Sequence, residues 1–285
     1  MTQGGSRVMQ QRRLRVELRR IRERAGRTQK VVADSLGWST SKVIRIETGA
    51  VHVSTSDVMA LLHYYGVNEN TEELLALSRA KEQSWWDTYR SYYKQPFLDF
   101  LAYEDSAVRL RQFIGSVVPG LLQTEDYMRA LFTSNSANDA DQIERAMHVR
   151  ARRQAILDPD RGCQASFLID EAGLHRWVGG PAVARAQLDR LREAARQPNI
   201  SIRVVPFSAG MHPGMFDEFT IFDFASEDED TVVNVEEHNR AQIREEPEIT
   251  SQYLEHYFVV EELATPEDEL DAVLDSVLEG IRLDT

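Results

Sequence analysis

The sequence predicts an all-α N-terminal domain followed by a mixed α/β (α+β) C-terminal domain. Apolar residues recur at helical spacing through about the first 80 residues, whereas short strand-like segments occur only after residue 160. Of the 285 residues, 42% are hydrophobic, which is enough for a sizeable core. We therefore expect domains at residues 1–80 and 105–285, separated by an aromatic-rich junction at residues 81–104.

The composition excludes several classes of protein. No segment approaches the roughly 18 consecutive apolar residues of a membrane span, so no membrane association is expected. The polar stretch Met1–Gln10 leads into arginines without an apolar run, which argues against a secretory signal. The single cysteine, Cys163, excludes an intramolecular disulfide and a four-cysteine zinc site. These features together predict a cytoplasmic protein.

Charge is distributed unevenly along the chain. The formal net charge is -13, yet residues 1–50 carry 12 Lys and Arg against 4 Asp and Glu, a net charge of +8. Residues 201–285 carry 4 Lys and Arg against 22 Asp and Glu, a net charge of -18. Because a polyanion responds to the local charge rather than to the sum, the basic N-terminal segment is a candidate surface for phosphate.

Five short helices are predicted in the N-terminal domain. Thr28 and Ser39 can cap the second and third helices, and Gly37 separates these two. The predicted segments are Arg12–Ala25, Gln29–Leu36, Ser39 to about Thr48, Ser54–Tyr65, and a fifth helix after an Asn70–Glu73 capping box. Three apolar residues of the third helix are expected to face the core, namely Val43, Ile44 and Ile46.

Helices and strands are both predicted in the C-terminal domain. The expected strands are Phe167–Ile169, Ile200–Phe207, Phe219–Phe224 and Thr231–Val235. The last two are expected to form a hairpin around the acidic turn Ser226–Asp230. The expected helices are one that follows Thr124, then Asp141–Leu157, Pro181–Arg196 and Leu270–Ile281.

Two features of the chain leave alternatives open. Eight of the 19 residues from Trp85 to Tyr103 are aromatic, which fits either an interdomain or dimer core or a ligand pocket. The amphipathic C-terminal helix from Pro266 could serve dimerisation or pack on its own domain.

The segment Thr28–Gly49 has the pattern of a helix-turn-helix, with a small residue at the turn and a polar start to the second helix. In such a unit the second helix enters the major groove with its N-terminal residues against the base edges. The residues expected to face DNA there are Ser39, Thr40, Ser41 and Lys42, with Arg45 one turn later.

Other polar residues near this unit are expected to contact the DNA backbone. Gln29 lies at the start of the preceding helix, where backbone amides favour a phosphate. Arg12, Arg13 and Arg27 are expected to add affinity that does not depend on sequence. Glu47 is expected to have a structural role, paired with an arginine of the first helix.

The residues from Leu18 to Val67 resemble the Xre (lambda-repressor-like) helix-turn-helix family. The resemblance rests on LRRIRERAGRTQKVVADSLGWSTSKVIRIETG and on the later VMALLHYYGV. One departure is Lys30-Val31, where that family more often has an acidic residue. Later segments, including VVPGLLQTEDYMRALF, FLIDEAGLHRWVGGPAVARAQLDRL and VVPFSAGMHPGMFDEFTIFDF, resemble the C-terminal domain of WhiJ-like, antitoxin-like actinomycete regulators. This resemblance implies a DNA-binding regulator that often works with a small partner protein.

The expected function is therefore sequence-specific transcription regulation by a homodimer bound to a double-stranded DNA operator. In this interpretation the C-terminal domain receives a signal from a small partner protein or a ligand. The alternative is an antitoxin-like interaction protein that neutralises a small partner and binds DNA for autoregulation. An enzyme is not expected, and neither are catalytic residues, metal ligands or cofactors, because four histidines show no ligand spacing: His175, His212, His238 and His256.

Overall fold

A computed structural model describes residues 6–67, 70–79, 84–134, 139–225, 231–237 and 240–283. The chain divides into two compact units, Met1–Tyr92 and Tyr93–Thr285, which we call the head and the body. The head is helical and the body combines helices with one mixed sheet, so the predicted fold class is confirmed.

Five α-helices form the described part of the head: α1 (Arg7–Arg24), α2 (Gln29–Leu36), α3 (Thr40–Glu47), α4 (Thr55–Tyr65) and α5 (Thr71–Ser78). The predicted caps form at α2, α3 and α4, where the side chains of Thr28, Ser39 and Ser54 each accept a backbone N–H of the first turn. The helices enclose one apolar core, which includes Leu14, Leu18, Val32, Val43, Ile46 and Leu61.

Three predictions for the head are wrong in detail. The first helix starts at Arg7, because Ser6 accepts the N–H of Met9 and Met9 itself is buried. The Asn70–Glu73 capping box is not formed, since Asn70 has φ 59° and its side chain makes no capping bond. Ile44 is 40% exposed, because successive helical residues lie about 100° apart and only Val43 and Ile46 share the buried face of α3.

The body contains seven described α-helices and six described strands. The helices are α6 (Gln95–Ser106), α7 (Glu125–Ser134), α8 (Ala140–Arg153), α9 (Glu171–Leu174), α10 (Pro181–Ala195), α11 (Pro247–Leu263) and α12 (Leu270–Leu283). The strands are β1 (Arg109–Ile114), β2 (Gln164–Asp170), β3 (Ile200–Val205), β4 (Glu218–Asp223), β5 (Val232–Glu237) and β6 (Arg240–Arg244).

The six strands form one sheet in the order β3-β2-β1-β4-β5-β6. Strands β1, β2 and β3 are parallel, with Phe113 opposite Leu168, whereas β4, β5 and β6 form an antiparallel meander. The predicted hairpin of β4 and β5 is confirmed, with Phe219 opposite Val235. Its acidic turn, Ser226–Asp230, and His238 lie outside the described residues.

Five elements of the body were not predicted, namely β1, β6, α6, α9 and α11. In β1 the apolar pattern is interrupted by Arg109 and Arg111, and Arg111 is held by Asp223 of β4 at 2.6 Å. In β6 the sequence RAQIR contains two arginines and lies at the sheet edge, where polar residues are common. Because the partners of β1 in β2 and β4 are distant in sequence, pairing rather than local pattern defines that strand.

Helices cover the sheet and complete the core. Residues of α11, including Tyr257 and Val260, pack against Phe113, Leu168 and Phe219 on one face. The apolar face of α12 is buried within the body, where α12 contacts α10 and β3. Of the two alternatives for the C-terminal helix, the structure therefore supports packing on its own domain.

The aromatic segment contributes to both units. In the head, Trp85 and Trp86 meet edge to face, with ring centroids 5.4 Å apart. In the body, Phe97 stacks on Phe100, which in turn meets Phe222 of β4 at 5.8 Å. These rings stabilise each unit by burying large apolar surfaces.

The described residues contain neither a membrane-spanning helix nor a metal-binding cluster. No described helix has the length and apolar character needed to cross a bilayer. Histidine, cysteine, aspartate and glutamate do not assemble into a metal-binding group of three or more anywhere in the described ranges.

The thiol of Cys163 is expected to resist alkylation in the folded protein. The side chain is buried, and burial raises its pKa to about 11. At pH 8, about one thiol in a thousand would then be the reactive thiolate, given a tenfold change per pH unit. Mass spectrometry should detect iodoacetamide modification in urea and almost none in buffer; equally fast labelling in both would contradict the buried position.

Candidate nucleic-acid interface

A tight turn joins α2 to α3. Gly37 adopts the left-handed conformation with φ 67°, which glycine tolerates without strain. The N–H of Trp38 then donates to the carbonyl of Ala33 at 2.8 Å, which closes the end of α2. Ser39 starts the next helix by accepting the N–H of Lys42 at 3.2 Å. These local bonds fix the angle at which α3 leaves the turn.

The two faces of α3 have opposite characters. Val43 and Ile46 are buried in the core of the head. The side chains of Ser39, Ser41 and Arg45 are exposed on the other side. The helix therefore presents two hydroxyls, one guanidinium and the partly exposed Ile44 to solvent.

Thr40 and Lys42 are half-buried, and Lys42 has intramolecular partners. Its Nζ lies 2.6 Å from Oδ1 of Asp57 and 3.7 Å from the centroid of the Trp38 ring. Trp38 is partly buried against the apolar core of the head, so its ring lies between that core and Lys42. The sequence does not predict Asp57 as a partner, because it lies fifteen positions after Lys42 in the first turn of α4.

Glu47 joins three elements of the head. Its carboxylate accepts Nε of Arg22 at 2.6 Å and Nη2 of Arg22 at 2.9 Å, and the Arg22 side chain is only 11% exposed. This hydrogen bonding raises the pKa of Arg22 above its usual range. The expected pairing of Glu47 with an arginine of the first helix is confirmed.

Gln29 is bound to the same carboxylate. Its Nε2 donates to Oε2 of Glu47 at 2.8 Å, so the side-chain amide is already used within the head. A pocket of about 590 Å³ opens beside it, lined by Arg19, Arg27, Thr28 and other residues. The pocket contains the carboxylates of Glu23 and Glu47 as well as these arginines, so an anion here would meet Arg27 and the first backbone amides of α2 rather than Gln29 Nε2.

The flanking arginines have different positions. Arg12, which is expected to contact phosphate, is 1% exposed in the interior of the head and is not accessible to a phosphate there. Arg13, the next residue, is exposed and pairs with Glu73 at 2.7 Å. Arg27 is exposed at the start of α2, and its carbonyl accepts Nη1 of Arg22 at 3.0 Å. The solvent-facing cations of the predicted set are therefore Arg13, Arg27 and Arg45.

Family comparisons divide the chain in the same way. A model described as a helix-turn-helix domain matches residues 13–75, which span most of the head helices. A model described as a domain of unknown function (DUF5753) matches residues 97–276, which is more than half of the chain. Comparison with curated proteins and with solved structures gives no match.

Proposed function

Because this chain belongs to the DUF5753 family and carries a helix-turn-helix domain, we propose that it is a sequence-specific transcription regulator. The helix-turn-helix domain suggests a DNA-binding regulator rather than an enzyme. We assign the head to the Xre type and the body to the WhiJ-like, antitoxin-like domain of actinomycete regulators. The regulator binds a double-stranded DNA operator as a homodimer in the cytoplasm, where it is associated with the nucleoid.

The observation that carries this proposal is the outer face of α3. Ser39, Ser41 and Arg45 are exposed there, while Val43 and Ile46 hold the opposite face in the core. Short hydroxyl side chains allow close approach to a groove, and an arginine can bind the O6 and N7 atoms of guanine. Thr40 and Lys42 complete the proposed reading surface, with Lys42 exchanging Asp57 for a base or a phosphate.

Contacts to the DNA backbone surround this surface in the proposal. Arg27 and the first amides of α2 bind one phosphate, with Gln29 oriented by Glu47. Arg13 adds a contact that does not depend on sequence, whereas Arg12 supports the core of the head. Such contacts set the position of the protein on the duplex, and the contacts of α3 with the bases provide the sequence specificity.

The body is proposed to receive a signal from a small partner protein or a ligand. The last 85 residues carry a net charge of -18, which favours a basic surface on a protein partner. The same observation favours the second candidate function, an antitoxin-like protein that neutralises a small partner and binds DNA for autoregulation.

Genome-wide mapping of bound DNA tests the proposal. We expect one recurrent motif with two half-sites about 10 base pairs apart, centre to centre, or a multiple of that spacing. Co-purification of a small neighbouring protein that persists without DNA would favour the antitoxin-like function. Uniform occupancy without a motif, in a chain that folds normally, would contradict sequence-specific regulation.

A further inference from the structure

The body contains a cavity that the DNA-binding function does not use. It has a volume of about 520 Å³ and lies among α7, α8 and α10. Its apolar surface comes from Met128 of α7 and Met147 of α8, both of which are buried. Volumes of about 300–1,000 Å³ are typical of small-molecule sites, and methionine adapts readily to flat apolar ligands.

The charged residues at the cavity differ in how fully they are paired. Arg129 bridges α7 and α8, since it lies 2.6 Å from Glu144 and 3.3 Å from Glu125. Its charge is therefore offset by two carboxylates. Arg190 of α10 has one ion pair among the described residues, with Glu193 at 4.0 Å. Of the two arginines at this cavity, Arg190 is thus the one that is better able to bind an anionic group of a ligand.

The N-terminus of α7 lies at the cavity, where Glu125 of its first turn is already paired with Arg129. Thr124 lines the cavity and accepts the N–H of Tyr127 at 3.3 Å, which starts the helix there. The Thr124 backbone is itself fixed, because its N–H donates to Oε1 of the buried Gln187 at 2.7 Å. A helix N-terminus favours negative charge, so it acts in the same direction as Arg190.

We propose that this cavity binds a small organic carboxylate with a flat apolar body. The apolar body lies on Met128 and Met147, and the carboxylate lies between Arg190 and the start of α7. This proposal names the class of ligand that the body would sense, and it rests on the proposed function only for the role of that ligand as a signal. Ligand binding is measured without DNA, so an absence of ligand binding is distinguishable from an absence of DNA binding.

Two probes of equal shape test the proposal on the full chain. Isothermal titration with 2-naphthoate and with neutral 2-naphthamide is expected to give one site, with at least tenfold preference for the carboxylate. Arg190→Gln is expected to abolish this preference by weakening naphthoate binding alone. Arg185→Gln, at another arginine of α10 that does not line the cavity, is the matched control and should retain it.

A second variant tests the location of the site. Ala151 is an exposed residue of α8 that lines the cavity, so Ala151→Trp is expected to block both probes while the circular dichroism spectrum stays unchanged. Absence of binding to the native chain, equal binding of the two probes, or full binding by a folded Ala151→Trp chain would each overturn the proposal.

Discussion

Replacing Arg45 by alanine is expected to reduce affinity for the operator by about 1–3 kcal/mol, which is roughly a 5- to 150-fold increase in Kd. The side chain is exposed on α3 and contributes nothing to the core of the head, so folding stability should not change. If Arg45 contacts a base, the loss will be confined to the cognate sequence. Fluorescence anisotropy with the mapped operator and a scrambled duplex, at one fixed salt concentration, measures both affinities.

Arg27→Ala is the matched control for that experiment. Arg27 is also exposed in the head, but it lies at the start of α2, where phosphate binding is proposed. Its loss is expected to weaken binding to operator and scrambled DNA by the same factor and to reduce the salt slope by about 1. Equal behaviour of the Arg45→Ala and Arg27→Ala variants would refute base reading by Arg45.

Glu47→Gln is expected to destabilise the head by about 3 kcal/mol, because the largely buried Arg22 guanidinium then keeps only its ion pair with the half-exposed Glu23. The native carboxylate accepts two hydrogen bonds from Arg22 and one from Gln29, and its side chain is 6% exposed. Hydrogen exchange of the amides of α2 and α3 should become roughly 100-fold faster, since 1.4 kcal/mol corresponds to a factor of ten.

A pair of further variants separates burial from charge. Glu23 also pairs with arginines but is half-exposed, so Glu23→Gln should cost less than about 1 kcal/mol. The double variant Arg22→Leu with Glu47→Leu should recover most of the loss, because no uncompensated charge remains in the interior. A Glu47→Gln variant as stable as Glu23→Gln would show that the ion pair has no structural role.

Local interactions explain why the helix-turn-helix was predictable. The bonds made by Thr28 and Ser39 connect residues three positions apart, and Gly37 needs only its own backbone freedom. The β4–β5 hairpin was predictable for a similar reason, since its strands alternate and are neighbours in sequence. In each case the interactions that form the structure join residues close together in the sequence, so a sequence pattern can predict the structure.

Distant interactions explain what the sequence did not predict. Lys42 meets Asp57 across fifteen positions, and β1 pairs with β2, whose partner residues lie more than fifty positions away. The cavity among α7, α8 and α10 likewise depends on how three helices pack. A residue pattern does not predict which distant residues come into contact, because many alternative pairings of strands and helices fit the same local propensities.

The sequence by itself determined the helical head, its turn at Gly37, the basic character of residues 1–50 and the mixed character of the body. Only the tertiary structure decided which of these residues are available for binding. Arg12 and Arg13 have the same side chain and adjacent positions, yet a rotation of about 100° around α1 buries the first and exposes the second. The surface against which a helix packs selects its buried face, and that surface is formed by residues far away in the chain.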